Sequence, residues 1–257
     1  MEKTIIKKKL EVKLKNPVLI EGFPGLGMVG RIATRYLVKQ LKAKKLADLF
    51  SPHFPYYVLV NKKGSVRLLR GEFYFWENKN EKNDLLLLSG DQQAQTIEGQ
   101  YDVASCILDF AEECGVKMIA TVGGYRQETE AAPKVIAVST NPELLNKALQ
   151  AKAVASPVGN PIVGTAGLLL GLARFRSIDA LCLLGETRGY LRDPKSAKSV
   201  LSVLQKIVDI KLDLTGLEGE INKTNEIIEK MREIEERRET YAHKIRQMEE
   251  ERITYIS

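Results

Sequence analysis

A glycine-rich turn is the segment whose residue types and spacing best suit ligand chemistry. Residues 17–36 read PVLIEGFPGLGMVGRIATRY, in which Gly25, Gly27 and Gly30 form the pattern Gly-x-Gly-x-x-Gly. An apolar run at residues 18–20 precedes the pattern, and helical spacing follows it. Between a strand and a helix, such glycines let backbone amides approach the pyrophosphate of a dinucleotide. The same glycines also suit a tight turn that packs a helix closely against a sheet.

Two residues weigh against the dinucleotide interpretation. The strand after the first helix should end in an acidic residue that holds a ribose hydroxyl. Here the nearest candidate, Asp48, precedes the next predicted strand. Pro24 lies inside the turn, where it fixes the backbone and removes an amide donor. We therefore expect the glycines to shape the turn, with a nucleotide site as the alternative.

Two further segments could bind or process a ligand. Asp91 follows a predicted strand and precedes a helix, so it is either an acid or base, or a carboxylate that complements the helix N-terminus. Residues 159–173 form a second glycine-rich helix entry. That entry could cradle an anion, but its small residues favour close helix packing.

Near the end of the body, Glu186, Thr187 and Asp193 could form a polar cluster, although Asp193-Pro194 also marks a helix start. The chain has only two histidines, His53 and His243. No Ser-His-Asp set, Cys-His pair or spaced carboxylate pair can be assembled from these residues. The sequence therefore predicts no catalytic site.

Cysteine and histidine usage predicts no metal site and no cofactor. The three cysteines, Cys106, Cys114 and Cys182, have no Cys-x-x-Cys spacing. Because two histidines and three scattered cysteines supply no recognisable ligand set, we expect buried free thiols.

Charge is distributed unevenly along the chain, whose formal net charge is +6. Residues 217–252 contain 11 Glu against 8 Lys or Arg, a net charge of −3, which leaves +9 elsewhere. A basic body suits an acidic protein surface or nucleic acid. Because there is no RNA-binding signature, we predict no nucleic-acid partner. Since no apolar run could span a bilayer and no signal peptide is evident, we predict a cytoplasmic protein without membrane association.

Strand-like and helix-like segments alternate, which predicts an α/β fold with a mixed, mostly parallel sheet covered on both faces. Three consecutive strand-like segments between residues 56 and 76 predict a local antiparallel meander. Loops that follow strands were expected at residues 121–126 and 184–190. The predicted strands are 18–20, 56–60, 65–69, 72–76, 85–88, 117–122, 135–138 and 180–184, and the predicted helices are 30–41, 96–114, 142–150, 167–173 and 197–210.

The pattern changes after residue 215, which predicts a body at residues 1–215 and a charged C-terminal helix and tail at residues 216–257. Residues 221–251 contain no Gly or Pro. A narrow apolar seam, interrupted by arginines, has spacings of three and four, as in a coiled coil. We expect this helix to project and pair with a partner; the alternative is a solvated helix lying on its own body. The seam consists of Ile227, Met231, Ile234, Arg238, Tyr241, Ile245, Met248 and Arg252.

Several motifs, taken in order, resemble the archaeal branch of the proteasome assembly chaperone 2 (PAC2) family. They are GFPGLGMVG at 22–30, GDQ at 90–92, GGY at 123–125, GTAGLLL at 164–170, and LGET at 184–187 with Asp193-Pro194. The resemblance covers roughly residues 15–210. It implies a three-layer α/β sandwich related to purine nucleoside phosphorylases, with no established enzyme activity. It also implies homo-oligomers, tetramers as the best guess, that bind the α-ring of the proteasome core particle without ATP.

The resemblance also implies that a C-terminal tail of the type hydrophobic-tyrosine-any enters pockets between α-subunits. Here the sequence ends Ile253-Thr254-Tyr255-Ile256-Ser257, so the tyrosine is third from the end instead of penultimate. The tail nevertheless offers apolar anchors, an aromatic hydroxyl and a terminal carboxylate. We therefore predict that Ile253, Tyr255, Ile256 and Ser257 contact the proteasome; an ordinary frayed terminus is the other interpretation.

These patterns together predict a non-enzymatic, ATP-independent proteasome-binding factor that acts as an assembly chaperone, an activator, or both. The alternative is a nucleotide- or phosphosugar-binding enzyme that uses the Gly25-Gly27-Gly30 loop.

Overall fold

The continuous apolar runs of the sequence form the centre of a nine-stranded sheet. The computed structural model describes residues 1–62, 64–79, 83–127 and 132–254, with side chains of the last helix described to residue 235 and at 237 and 238. Strands built from residues 18–22 and 85–90 are buried at every position. Uninterrupted burial of this kind is typical of parallel strands covered on both faces, which explains why these runs do not alternate with polar residues.

The strands are β1 Ile5–Lys8, β2 Val18–Gly22, β3 Lys44–Phe50, β4 Val58–Val60, β5 Val66–Leu68, β6 Gly71–Trp76, β7 Leu85–Gly90, β8 Met118–Arg126, β9 Val135–Ser139, β10 Val154–Ala155 and β11 Asp179–Thr187. The helices are α1 Val29–Gln40, α2 Ile97–Glu113, α3 Pro142–Gln150, α4 Thr165–Ala173, α5 Pro194–Ile207 and α6 Glu218–Thr254.

Strand order in the main sheet is β1-β3-β6-β7-β2-β8-β11-β9-β10. The four central strands, β7, β2, β8 and β11, run parallel. Antiparallel pairing takes over from β7 through β6 and β3 to β1, and again between β11 and β9. The predicted mixed α/β sheet is confirmed, with parallel pairing concentrated at its centre.

Helices cover both faces of this sheet, giving three layers. Helices α1, α3 and α5 lie together on one face, and α2 and α4 pack on the other. Alternate residues separate the two faces: Leu86 and Leu88 belong to the apolar cluster under α2 and α4, whereas their buried neighbours Leu85 and Leu87 do not. Within that cluster Phe73 meets the ring of Phe110 edge-on at 4.7 Å between centroids.

The predicted antiparallel meander at residues 56–76 is only partly correct. Strands β4 and β5 form a hairpin, and within the described residues they pair with each other alone. Strand β6 instead enters the main sheet between β3 and β7. The reason is burial: β6 carries Phe73 and Phe75 into the core, whereas β4 and β5 present most of their apolar side chains outward.

Two predicted loops are strand instead, and three strands were missed: β1, β3 and the two-residue β10. Strand β8 continues through Gly123 and Gly124 to residue 126, and β11 continues to residue 187. The glycines are required there because a side chain on Gly124 would collide with the backbone oxygen of Leu26. Strands β1 and β3 escaped detection because lysines and an aspartate interrupt their apolar runs.

The chain divides into two compact units, Met1–Thr215 and Gly216–Ser257. The second unit consists mainly of the 37-residue helix α6. Among the residues that the structure describes, no helix has both the length and the apolar character needed to cross a bilayer.

One polar row crosses the apolar centre of the sheet. Glu21 on β2 lies opposite Thr121 on β8, which lies opposite Cys182 on β11, and all three are buried. One Glu21 oxygen accepts a hydrogen bond from the Phe23 amide at 2.8 Å. Burial raises the pKa of Glu21 to about 8, although this hydrogen bond lowers it in part. The carboxyl group is therefore protonated at neutral pH.

Replacing Glu21 with Gln should stabilise the protein at neutral and alkaline pH. Because the folded pKa lies above the unfolded value of 4.5, the wild-type protein loses stability as the pH rises from 4.5 towards 8. Glu21→Gln removes that ionisation, so we expect a gain of about 3 kcal/mol at pH 7 and almost none at pH 4. Urea unfolding across this range measures the difference.

The exposed Glu77 provides the matched control, since Glu77→Gln removes the same charge without burial. A Glu21→Gln gain that does not grow with pH would contradict the protonated state of Glu21.

Candidate functional site

The glycine loop between β2 and α1 is a closed turn whose amides already have partners. Gly27 and Met28 adopt left-handed backbone angles, with φ of 59° and 55°. The amide of Gly27 donates to the carbonyl of Gly189 at 3.2 Å, and the amide of Met28 donates to Gly25 at 2.9 Å. A phosphate would therefore have to displace hydrogen bonds that hold the turn together.

Close packing explains why the loop needs small residues. A Cβ on Gly30 would collide with the carbonyl oxygen of Val122, so α1 begins directly on the backbone of the central sheet. A Cβ on Gly27 would lie 2.5 Å from the hydroxyl oxygen of Thr187. These contacts favour the structural interpretation of the glycines.

Asp48, the candidate ribose ligand, lies on a strand that is not adjacent to the strand before the glycine loop. It sits within β3, whose neighbours in the sheet are β1 and β6, while the loop strand β2 pairs with β7 and β8. Its buried carboxylate is bound by Lys9 at 3.0 Å, Lys45 at 2.7 Å and Arg70 at 3.3 Å. The expectation that Asp48 precedes a strand was wrong, but it remains unsuited to the ribose.

Asp91 is neither a helix cap nor an open acid. Helix α2 is capped instead by Thr96, whose hydroxyl accepts from the Gly99 amide at 3.1 Å. The Asp91 carboxylate accepts two hydrogen bonds from Arg67, at 2.5 and 3.1 Å, and one from the Arg70 amide at 3.2 Å. All of its strong contacts are thus donors from the chain itself.

Asp91 belongs to a larger group of charges that we call the ion-pair cluster. Its carboxylates, Asp48, Glu72 and Asp91, are each almost fully buried. Arg70 and Lys45 both bridge two carboxylates, Asp48 and Glu72. The cations exceed the carboxylates by six to three among the described residues: Lys9, Arg31, Arg35, Lys45, Arg67 and Arg70.

The acidity of these carboxylates follows from their cations. Burial raises the pKa of Glu72, but hydrogen bonds and charge from Lys45 and Arg35 outweigh it and bring the value to about 2. Burial likewise raises the pKa of Asp91, and Arg67 more than reverses that effect. Both groups are therefore ionised at neutral pH and serve to anchor cations rather than to transfer protons.

The second glycine-rich entry, at the start of α4, has no room for an anion. The side-chain oxygen of Gln93 accepts from the Thr165 amide at 3.1 Å. The amide nitrogen of Gln93 in turn donates to the Pro24 carbonyl at 2.7 Å. Gln93 thus ties the α4 N-terminus to the loop before α1, which supports the packing interpretation.

Glu186, Thr187 and Asp193 do not form one polar cluster. Asp193 caps α5 by accepting from the Ser196 amide at 2.8 Å. Thr187 accepts from the Gly189 amide at 3.2 Å, and Glu186 accepts from the Lys134 amide at 3.0 Å. Thr187 and Asp193 therefore complete a local turn and a helix cap, whereas Glu186 binds the distant backbone at Lys134.

Thiols and metal ligands offer no further site within the described ranges. No group of three or more His, Cys, Asp or Glu residues there is arranged to hold a metal ion. Cys182 is buried, but Cys106 and Cys114 are only half-buried, so the expectation of three buried thiols was too strong. Burial raises the pKa of the Cys182 thiol to about 12.

The predicted proteasome-contacting residues lie at the edge of what the structure describes. Ile253 belongs to α6, whereas Tyr255, Ile256 and Ser257 lie outside the described residues. Sequence reasoning also overlooked Arg31 and Arg67. The sequence contained a signal for Arg67: it lies between apolar Val66 and Leu68. Since side chains alternate along a strand, Arg67 must point to the face opposite to these two residues.

Substituting Gly30 tests the structural role of the loop. We expect Gly30→Ala to destabilise the fold by about 2 kcal/mol or more, because its methyl group would meet rigid backbone atoms. Gly171 in α4 is the matched control, since a Cβ there meets nothing within 4 Å. Gly171→Ala should stabilise the helix by up to ~1 kcal/mol. Equal effects of both substitutions on thermal unfolding would contradict the packing argument.

Removing Asp91 should weaken the fold in a pH-dependent manner. We expect Asp91→Asn to cost about 3 kcal/mol at pH 7, because Arg67 and Arg31 lose a buried partner. Carboxylates with lowered pKa values stabilise the folded state above their unfolded pKa, and this stabilisation is lost as the pH falls. The difference in the free energy of unfolding between wild type and variant should therefore shrink below pH 4 in denaturant titrations. A gap that persists at pH 2 would argue against the ionised carboxylate.

Comparisons with known proteins agree with this architecture. The model of the PAC2 family matches residues 19–232. An uncharacterised protein of Methanocaldococcus jannaschii is 36% identical over 238 residues, covering 92% of this chain and 91% of the relative.

Solved structures extend the similarity to the fold. The structure of Pyrococcus furiosus PbaB, described as an archaeal proteasome activator, superposes with a TM-score of 0.87 at 38% identity, covering 90% of this chain and all of that one. P. furiosus PbaA, described as an archaeal homologue of a proteasome-assembly chaperone, shares the fold with a TM-score of 0.70 at 24% identity, over 89% of this chain and 97% of that chain. With a family model that matches most of its length and relatives above 30% identity along nearly the whole chain, this protein belongs to the PAC2 family.

Proposed function

We propose that this protein is a proteasome-binding factor, an assembly chaperone or activator, that engages the α-ring of the core particle through its C-terminal helix and tail. It acts without ATP, catalyses no reaction, works as a homo-oligomer and resides in the cytoplasm. The observation that carries the proposal is the similarity to the P. furiosus proteasome activator, which extends over the full length of that chain. The body at residues 1–215 serves as the platform, and residues 216–257 serve as the arm.

Properties of α6 support the role of an arm. Its described seam residues Ile227, Met231 and Ile234 are exposed, which provides an apolar stripe for a protein partner. The segment around the seam carries a net negative charge, in contrast to the basic body. Charge asymmetry of this kind steers association with a partner of complementary charge.

The tail supplies chemistry that suits a pocket between subunits. Ile253 and Ile256 offer apolar anchors, and Tyr255 combines a large ring with a hydroxyl group. A carboxylate at Ser257 could pair with a lysine in the pocket. A tail this short binds weakly alone, so several tails on one oligomer would act together through their high effective concentration.

Loop geometry argues against the alternative of a nucleotide- or phosphosugar-binding enzyme. The Gly27 and Met28 amides are engaged within the turn, and Gln93 fills the N-terminus of α4. The Gly27, Met28 and Thr165 amides are therefore not open donors for a phosphate.

Deleting residues 255–257 tests the role of the tail. We expect the intact protein to co-purify with the core particle and the deletion to bind at least about tenfold more weakly, since the pocket loses its aromatic anchor and carboxylate. Binding is measured by pull-down and by surface-immobilised core particle, together with peptide hydrolysis by the particle.

Tyr190→Ala removes an exposed tyrosine from the body and serves as the control. It should bind like the wild type. Unchanged binding by the tail deletion would remove the tail from the mechanism, and no binding by the intact protein would contradict the function itself.

A further inference from the structure

The β4–β5 hairpin is an amphipathic element whose apolar side points away from its own body. Its inner side is anchored twice: Leu59 packs against the main apolar cluster, and Arg67 binds the buried carboxylate of Asp91 through two hydrogen bonds. Leu59 and Arg67 lie directly opposite each other in the hairpin. Residues on the opposite side of each strand must therefore face outward.

Those outward residues are all aliphatic, and they form what we call the hairpin face. Val58 lies opposite Leu68, and Val60 lies opposite Val66. The exposed fraction of these four residues ranges from 47% to 71%. In a hairpin that faces only water, these positions would carry polar side chains. The face thus has the residue pattern of a buried surface, and within the described part of Met1–Thr215 nothing covers it.

Adjoining features enlarge the surface. Tyr56 and Tyr57 directly precede β4, and Tyr56 is fully exposed. A groove of about 640 Å³ begins at Leu68 and continues beside the edge strand β1 past Ile5 and Phe50. The exposed fractions of the two tyrosines and the hairpin face amount to roughly 700 Å², close to the ~800 Å² that each partner contributes to a standard stable interface.

We propose that the hairpin face is a self-association surface, on which a second copy of this chain packs its own hairpin face. The inference builds on the homo-oligomer of the proposed function and assigns it an interface. A two-fold interface brings the same patch from both subunits together, so it needs a surface that complements itself. Four aliphatic side chains without a directional polar group meet that requirement.

The stability of the hairpin gives a second reason for self-association. Two-stranded hairpins are marginally stable alone, and this one contributes only one apolar side chain, Leu59, to its inner side within the described strands. A second hairpin packed on the outer face would supply the missing apolar layer. Together with Tyr56 and Tyr57, the hairpin face offers an area close to what each partner contributes to a stable interface.

Paired substitutions test this surface. Placing two lysines on the face, with Val60→Lys and Val66→Lys together, should raise the dissociation constant of the oligomer at least about tenfold, since both charges would be buried against their copies. Sedimentation velocity across a dilution series measures it on the full chain. Val60→Thr with Val66→Thr keeps the shape and β propensity of the strands, so it reveals weakening even if the lysine variant unfolds.

Matched control substitutions are Val158→Lys and Val163→Lys, because both valines are highly exposed in the loop before α4. The proposal expects the control to keep the wild-type mass while both hairpin variants shift to smaller species with unchanged circular dichroism. A monomeric wild type, or hairpin variants of wild-type mass, would overturn it. Hairpin variants that keep the wild-type mass but no longer bind the core particle would show that the hairpin face contacts that particle instead of a second copy of the chain.

Failure of the proposed function is separable from failure of this inference. The mass of the oligomer is measured without core particle. The hairpin result can therefore be interpreted even if the intact protein does not bind the particle. Conversely, the deletion of residues 255–257 should weaken binding to the particle while leaving the mass unchanged.

Discussion

The fold depends on the close approach of α1 to the parallel centre of the sheet. Gly22 and Gly30 lie against each other, and Gly30 also lies against the carbonyl of Val122, so the backbones touch where side chains would normally intervene. This close approach fixes the turn between β2 and α1, in which the Gly27 and Met28 amides donate to carbonyl groups of the chain. In a dinucleotide site the same glycines would leave those amides open. Identical spacing therefore serves packing here, because the space beyond the turn is occupied by protein.

Beside this centre, buried charge adds to apolar contact in joining the antiparallel strands β3 and β6 to their neighbours. Asp48 and Glu72 lie opposite each other on β3 and β6, an arrangement that would be repulsive without Lys45 and Arg70 between them. Asp91 extends the group to the β4–β5 hairpin through Arg67. A buried carboxylate without its cations is strongly unfavourable, so these contacts are mutually required. The hairpin is thus held by a salt bridge on one side, which leaves its aliphatic side free for a partner.

Sequence patterns predicted the parts of the fold that depend on local order. The runs at 85–88 and 180–184 lie in β7 and β11, and the helix predicted at 96–114 spans residues 97–113, with Thr96 as its N-cap. Strand β3 was missed because Asp48 and two lysines interrupt its apolar residues. Burial of the Asp48 carboxylate becomes favourable only because Lys9 and Arg70, which are distant in sequence, neutralise its charge. The sequence pointed to the candidate acids but not to their roles, because their partners lie up to 60 residues away, as for Asp91 and Arg31. Long-range neutralisation of this kind has no signature in a local pattern.

The distribution of satisfied and exposed groups indicates where function can reside. The polar groups in the body that suggested chemistry have partners within the chain: the Gly27 and Met28 amides, Asp91, Gln93, Glu186 and Asp193. The exposed apolar groups include those of the hairpin face and of α6. Exposed aliphatic stripes of this kind are typical of surfaces that contact other proteins. One short tail buries too little surface for tight binding, whereas linked tails multiply their effective concentration. Self-association through a surface separate in sequence from the tail would provide that linkage without occupying the residues proposed to bind the core particle.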